Sequence, residues 1–132
     1  MERLKERLQI ADQALSRLEE ALMIEKPTSM ERDATIQRFE FSFEALWKVA
    51  KEYLFRQEGL DLASPKGVIR SSRELGILDD RTASFALTMA DDRNLTVHTY
   101  NETLAFEIFS RIISYAPLMR NWLNELQKRS MN

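Results

Sequence analysis

The chain has no cysteine, one histidine, three glycines and three prolines among its 132 residues. The lack of cysteine excludes disulfides, zinc–thiolate sites and thiol catalysis. Because glycine and proline dominate turns, their scarcity predicts few turns and long elements. No apolar run approaches the roughly 18 residues of a membrane span, and the first five residues are too charged for a signal peptide. We therefore expect a cytoplasmic protein without a membrane segment.

The overall composition is that of a globular protein. Hydrophobic residues make up 44% of the chain and charged residues 30%, which excludes a disordered chain and predicts one domain over residues 1–132. The net charge of −2 argues against a general nucleic-acid coat protein. Any contact with RNA would need a local basic patch.

Apolar residues recur at alternating spacings of three and four, which is the pattern of amphipathic helices. In the first helix, which we expect Pro27 to close, they are Leu4, Leu8, Ala11, Leu15, Leu18 and Leu22. The second helix opens with a predicted capping box at Thr28 and Glu31 and ends at Gly59. Its stripe is Ile36, Phe39, Phe43, Leu46, Ala50 and Tyr53, widened elsewhere by Phe41, Ala45, Trp47, Val49 and Phe55.

Three further helices follow. Ser64-Pro65 predicts the start of a short third helix that Gly76 ends. Asp79 or Asp80 is expected to cap a fourth, with Leu78, Phe85 and Met89 facing inward. The last begins near Thr99 or Asn101, Thr99 to Glu102 fits a capping box, and Pro117 predicts a kink. Its apolar face contains Leu104, Ile108, Ile112, Tyr115, Met119, Trp122 and Leu126.

These patterns predict an all-α, up-and-down bundle of about five helices. No segment shows the sustained alternation of a strand. Apolar groups cover more of the helices than a chain this short can bury alone. We therefore expect a homodimer.

The tract from Asp91 to Tyr100 carries the most distinctive chemistry, because it holds Arg93 and the only histidine, His98. Asp91 and Asp92 mark the expected end of the fourth helix, since carboxylates oppose the helix dipole there. In an unbroken helix Arg93 and His98 would lie roughly 140° apart. The poor helix formers after Arg93 predict a break between Leu95 and Thr99 that lets the two side chains converge.

Such a pair could act on RNA without a metal. Histidine can remove a proton from a ribose 2′-hydroxyl, and arginine can hold the scissile phosphate. A second histidine, needed as general acid, would come from the other subunit of a symmetric dimer. The plain alternative, that His98 is a satisfied core or capping residue, is favoured by spacing alone.

Arg93 and His98, separated by four residues at the head of the final helix, resemble the Arg-x4–6-His signature of the HEPN superfamily (higher eukaryotes and prokaryotes nucleotide-binding domain). Residues 93–102 and the aromatic run 38–48 are similar to its branch of nucleotidyltransferase substrate-binding proteins. The resemblance covers nearly the whole chain.

The resemblance implies a dimer encoded beside a minimal nucleotidyltransferase. In the related HepT toxins, the residues matching Arg93 and His98 belong to a ribonuclease site. The tyrosine matching Tyr100 receives AMP from an MntA-type antitoxin, which silences the toxin. The older family name implies instead a non-catalytic subunit that binds a nucleotide or another substrate for its partner. Asp92 and Asn94 flank the arginine as supporting residues.

Other clusters also fit ordinary structural roles. Lys66, Arg70 and Arg73 form a basic stripe on the third helix that could bind phosphates, although a solvated face is the more common origin of such a stripe. The aromatics near Trp47 could stack a base but fit a core or an interface better. Glu40 and Glu44 lie one turn apart, yet a metal site is not expected because His98 is the only imidazole. No cofactor is expected.

Overall fold

The computed structural model describes residues 2–131 as five helices and one short 3₁₀ turn, with no strand in that range. The five are α1 (Glu2–Ala21), α2 (Ser29–Glu58), α3 (Pro65–Glu74), α4 (Asp80–Leu95) and α5 (Glu102–Ser130), and the 3₁₀ turn (Thr96–His98) separates α4 from α5. The predicted all-α bundle is confirmed. None of the helices over residues 2–131 is long and apolar enough to cross a membrane.

The long helices α1, α2 and α5 pack against one another, and α3 and α4 complete the bundle beside α2 and α5. The core is formed by the predicted stripes. Leu4, Leu15 and Leu18 of α1 are buried, whereas Leu8 and Leu22 are only partly so. All six residues of the predicted α2 stripe are buried. On α5 the buried residues include Ile108, Ile112, Tyr115, Met119, Trp122 and Leu126.

The helix ends follow local chemistry at most positions. The Thr28–Glu31 capping box is present, with both reciprocal hydrogen bonds formed. Ser64 and Asp79 cap α3 and α4 through their side chains. Gly59 takes the left-handed conformation (φ 69°) that ends α2, which an L side chain adopts only with strain.

Two predicted helix ends were wrong. The first helix ends at Ala21, well before Pro27. The fourth runs one turn past Asp92 to Leu95, because the Asp92 carboxylate is turned toward α5 and not toward the helix end. The last helix begins at one of its two predicted starts, with Asn101 as its cap, and the capping box at Thr99 is not formed.

Several large apolar side chains outside the predicted stripes are exposed, and so is one residue that was predicted to face inward, Phe85. Phe41 and Phe55 of α2 are exposed, and Phe85 of α4 is partly exposed against the ring of Tyr115. The helix α5 is continuous through Pro117, and the kink predicted there stays a prediction. An apolar pattern on several sides of a helix does not specify which side meets the core.

Candidate functional site at the α4–α5 turn

The 3₁₀ turn supplies the helix break that the sequence predicts between Leu95 and Thr99. Thr96 fastens this turn to α4, since its hydroxyl donates to the Arg93 carbonyl at 2.7 Å and its own carbonyl accepts from the Thr99 hydroxyl at 2.9 Å. Thr96 is buried. The turn is therefore held by side-chain hydrogen bonds as well as by its backbone.

Arg93 points toward α2, where two carboxylates face it. Its Nη1 lies 3.6 Å from Glu40 Oε2 and its Nε lies 3.4 Å from Glu44 Oε1. The Arg93 side chain is only 22% exposed, and Nη1 also donates to Thr96 Oγ1 at 3.3 Å. The guanidinium is thus already matched by two negative charges of the same chain.

His98 and Tyr100 lie together on the surface. His98 Nδ1 is 3.3 Å from the Tyr100 hydroxyl, and the two rings meet edge to face with centroids 5.8 Å apart. Tyr100 is 82% exposed, and His98 is exposed as well. Within residues 2–131, His98 Nε2 makes no hydrogen bond. His98 is therefore not a core histidine.

At the break between α4 and α5, the His98 side chain contacts Tyr100 and not Arg93. No hydrogen bond or ion pair links the two side chains in the part of the chain that the structure describes. The expected convergence of Arg93 and His98 within one subunit is not formed as a direct contact. His98 and Tyr100 are exposed and accessible to a ligand, whereas the Arg93 guanidinium is already paired with two carboxylates.

Asp92, predicted as a supporting residue, is buried in a polar cluster with α5. It accepts from Arg111 Nε at 2.7 Å, from Arg111 Nη2 at 2.9 Å and from the Tyr115 hydroxyl. Burial and the hydrogen bond to Asp92 raise the pKa of Tyr115 above its ordinary value. The hydrogen bonds to Asp92 also raise the pKa of Arg111. Asp92 therefore anchors the last turn of α4, next to Arg93.

Sequence reasoning did not assign roles to Arg111, Glu40 or Glu44 in this site. One signal was available, because Arg111 lies among the apolar residues of α5 and one turn before Tyr115. A charged residue in such a position commonly pairs with a buried partner. Asn94, the other predicted supporting residue, is exposed.

The predicted basic stripe of α3 is partly neutralised. Lys66 Nζ lies 2.5 Å from Asp91 Oδ1, and Arg73 Nε lies 3.9 Å from Asp80 Oδ1. Arg70 is exposed, and no described carboxylate pairs with it. No three His, Asp or Glu side chains over residues 2–131 are grouped in a way that could hold a metal ion.

The chain is similar to proteins of known structure. A crystal structure of a Thermus thermophilus protein has 56% sequence identity and a TM-score of 0.85, covering 88% of this chain and 98% of that one. HI0074 of Haemophilus influenzae, described as having the fold of a substrate-binding domain of a nucleotidyltransferase, has 21% identity and a TM-score of 0.75. That match covers 91% of this chain and 98% of HI0074, and shares the fold.

No curated protein sequence gives a significant match. The sequence profile of one family, described as nucleotidyltransferase substrate binding protein like, matches residues 6–128. The match spans all five helices and includes Arg93, His98 and Tyr100. The chain therefore belongs to the family of nucleotidyltransferase substrate-binding-like proteins.

Proposed function

We propose that this chain is the substrate-binding subunit of a two-component nucleotidyltransferase. The His98–Tyr100 pair would be the surface that it presents to the partner enzyme. Family membership over residues 6–128 is the observation that carries the proposal. Within residues 2–131 there is no cluster of carboxylates able to hold the metal ions that nucleotidyl transfer uses. The catalytic metals would then come from a separate minimal nucleotidyltransferase, encoded nearby.

The pair offers a simple acceptor for such a partner. An exposed phenol can attack the α-phosphorus of ATP, forming a phosphodiester to AMP and releasing pyrophosphate. The phenolic proton must leave during this step, and His98 Nδ1 lies 3.3 Å from the Tyr100 oxygen. A neutral imidazole at that distance can accept it. The same geometry can instead present a separate hydroxyl-bearing substrate beside His98.

Co-purification with the minimal nucleotidyltransferase and labelled ATP tests this proposal. The complex should transfer AMP faster than the enzyme alone, and intact mass should show whether the label resides on this chain. Tyr100→Phe should abolish labelling of the chain while leaving the complex intact. Failure to form a complex, together with unchanged transfer, would refute the subunit role.

A second candidate is a metal-independent endoribonuclease of the HEPN type, supported by the exposed imidazole with its unbonded Nε2. One His98 would take the 2′-hydroxyl proton, and the 2′-oxygen would attack phosphorus. The leaving 5′-oxygen would receive a proton from His98 of a second copy, giving a 2′,3′-cyclic phosphate. Arg93 would have to leave Glu40 or Glu44 in order to hold the phosphate. AMP on Tyr100 would then block this site by its bulk and negative charge. This chain would be a toxin, and the nucleotidyltransferase that modifies it would be the antitoxin.

The ribonuclease candidate predicts a homodimer, growth arrest on expression without the partner, and RNA cleavage in the presence of EDTA. His98→Ala should abolish cleavage without unfolding the chain, because the side chain is exposed. Glu107→Ala, on an exposed position of α5, is the matched control. A monomer in solution, or cleavage that survives His98→Ala, would rule this candidate out.

A further inference from the structure

A basic pocket of about 350 Å³ lies between α1 and α2, apart from the predicted stripe on α3. This volume is near the lower end of the range for small-ligand sites, roughly 300–1,000 Å³. Five cationic side chains line it, contributed by Arg3, Arg7, Lys48, Lys51 and Arg56. Only two carboxylates, those of Glu52 and Asp61, accompany them.

The positive charge of this pocket is not cancelled by its surroundings. Glu52 is shared by Arg56, at 2.7 Å, and Arg7, at 3.7 Å. One carboxylate between two guanidiniums leaves an excess of one positive charge. Among the described residues, Lys48 and Lys51 have no carboxylate within ion-pair distance. In a chain whose net charge is −2, this is a local basic patch of the kind that a phosphate requires.

Two aromatic rings share the pocket with these cations. Trp47 is partly buried, with Lys51 Nζ 6.0 Å from its ring centroid, and Phe55 is 54% exposed. Aromatic rings stack on nucleobases, and neighbouring cations hold the phosphate of the same nucleotide. The indole nitrogen of Trp47 donates to Glu44 Oε2 at 3.1 Å, and Glu44 also pairs with Arg93. A ligand stacked on Trp47 would therefore be linked to Arg93, beside the α4–α5 turn, through Trp47 and Glu44.

We propose that this pocket binds one nucleotide unit, with its base against Trp47 or Phe55 and its phosphate on Lys48 and Lys51. The inference deepens the proposed function, since it names a ligand that the subunit holds and where it is held. The unit could be a free mononucleotide or the end of an RNA chain. Both share an aromatic base beside a phosphate.

Tryptophan fluorescence of the isolated chain tests the pocket without the partner enzyme. Trp122 is only 1% exposed, so a ligand in the pocket should act on the emission of Trp47. AMP should change the emission saturably, after correction for absorption with free tryptophan, and Trp47→Phe should remove that change. Inorganic phosphate should bind at least tenfold more weakly than AMP. If a short single-stranded RNA binds and AMP does not, a free mononucleotide is ruled out as the ligand and the end of an RNA chain is favoured.

Charge reversals locate the site. Lys48→Glu with Lys51→Glu should weaken AMP binding at least tenfold, whereas Lys26→Glu with Lys128→Glu, equal in charge and exposed outside the pocket, should leave it unchanged. If the first pair does not fold, Phe55→Ala should weaken AMP binding but not phosphate binding. If both double variants lose AMP binding equally, or if AMP gives no saturable change in emission, the pocket is not the nucleotide site. Because the partner is absent, that result would leave the subunit role standing.

Discussion

Arg93 and His98 are five positions apart in the sequence, but the fold uses them differently. Arg93 is held between Glu40 and Glu44, while His98 is exposed and, within residues 2–131, its ring hydrogen-bonds only to Tyr100. A side chain already matched by two carboxylates contributes to the fold whether or not it binds a ligand. An exposed imidazole contributes little to stability and is free for chemistry.

A double-mutant cycle on stability tests the structural role of Arg93. Arg93→Ala should lower the free energy of unfolding by about 1 kcal/mol, because it leaves two neighbouring carboxylates without their cation. Glu44→Gln in the same chain should recover part of this loss, as measured by urea denaturation. Strict additivity of the two substitutions would show that the ion pair contributes nothing. His98→Ala serves as the control and should change stability by less than about 0.5 kcal/mol.

The Tyr115 hydroxyl should make stability depend on alkaline pH. At pH 8, Tyr115→Phe should cost about 1–2 kcal/mol, since a buried hydrogen bond to a carboxylate is lost. The folded-state pKa of Tyr115 is raised above its ordinary value of 10.0. Its stabilising contribution is therefore complete below pH 10 and declines above it, by up to about 1.4 kcal/mol per pH unit.

Chemical denaturation of both proteins between pH 8 and pH 11 measures this difference. The gap between wild type and Tyr115→Phe should be constant up to about pH 10 and should narrow at higher pH. A gap that stays constant to pH 11 would contradict the buried, bonded state of the Tyr115 hydroxyl. Subtracting the variant cancels the titration of the other tyrosines and the lysines.

Features of the helices could be predicted from the sequence where they depend on contacts between residues close together in the chain. The caps at Thr28, Ser64 and Asp79 use hydrogen bonds to residues three positions away, so the pattern itself contains the interaction. The break after Leu95 was also predictable from helix propensity. The pairings of Arg93 with α2 and of Asp92 with α5 were not, because they depend on how helices are rotated against each other.

The 3₁₀ turn should depend on one buried hydroxyl. Thr96→Val keeps the shape of the side chain but removes its hydrogen bonds to Arg93. Amide hydrogen exchange over residues 94–101 should become faster, while exchange in α2 should be unchanged. Thr103→Val, exposed on α5, is the matched control. Unchanged exchange in the turn would show that the Thr96 hydroxyl is not needed to hold it.

At the scale of the molecule, the exposed apolar groups lie partly around the candidate site. Leu95, Val97 and Tyr100 in or beside the turn, and Phe106 on the following helix, are all exposed. Soluble chains usually cover contiguous groups of this kind with a partner. The homodimer remains a prediction of the sequence and of this surface, and the second copy would bring a second His98.

The α4–α5 turn and the basic pocket are linked through α2. Glu44 contacts both Arg93 and Trp47, so one carboxylate of α2 touches a residue of each region.

The most direct test of the subunit role is nucleotidyl transfer by the partner enzyme, assayed with and without this chain. We expect AMP transfer from labelled ATP to increase at least tenfold when the chain is added. His98→Ala and Tyr100→Phe should reduce that increase, whereas Glu107→Ala should keep it. A transfer rate that is the same with and without the chain would contradict the proposed function.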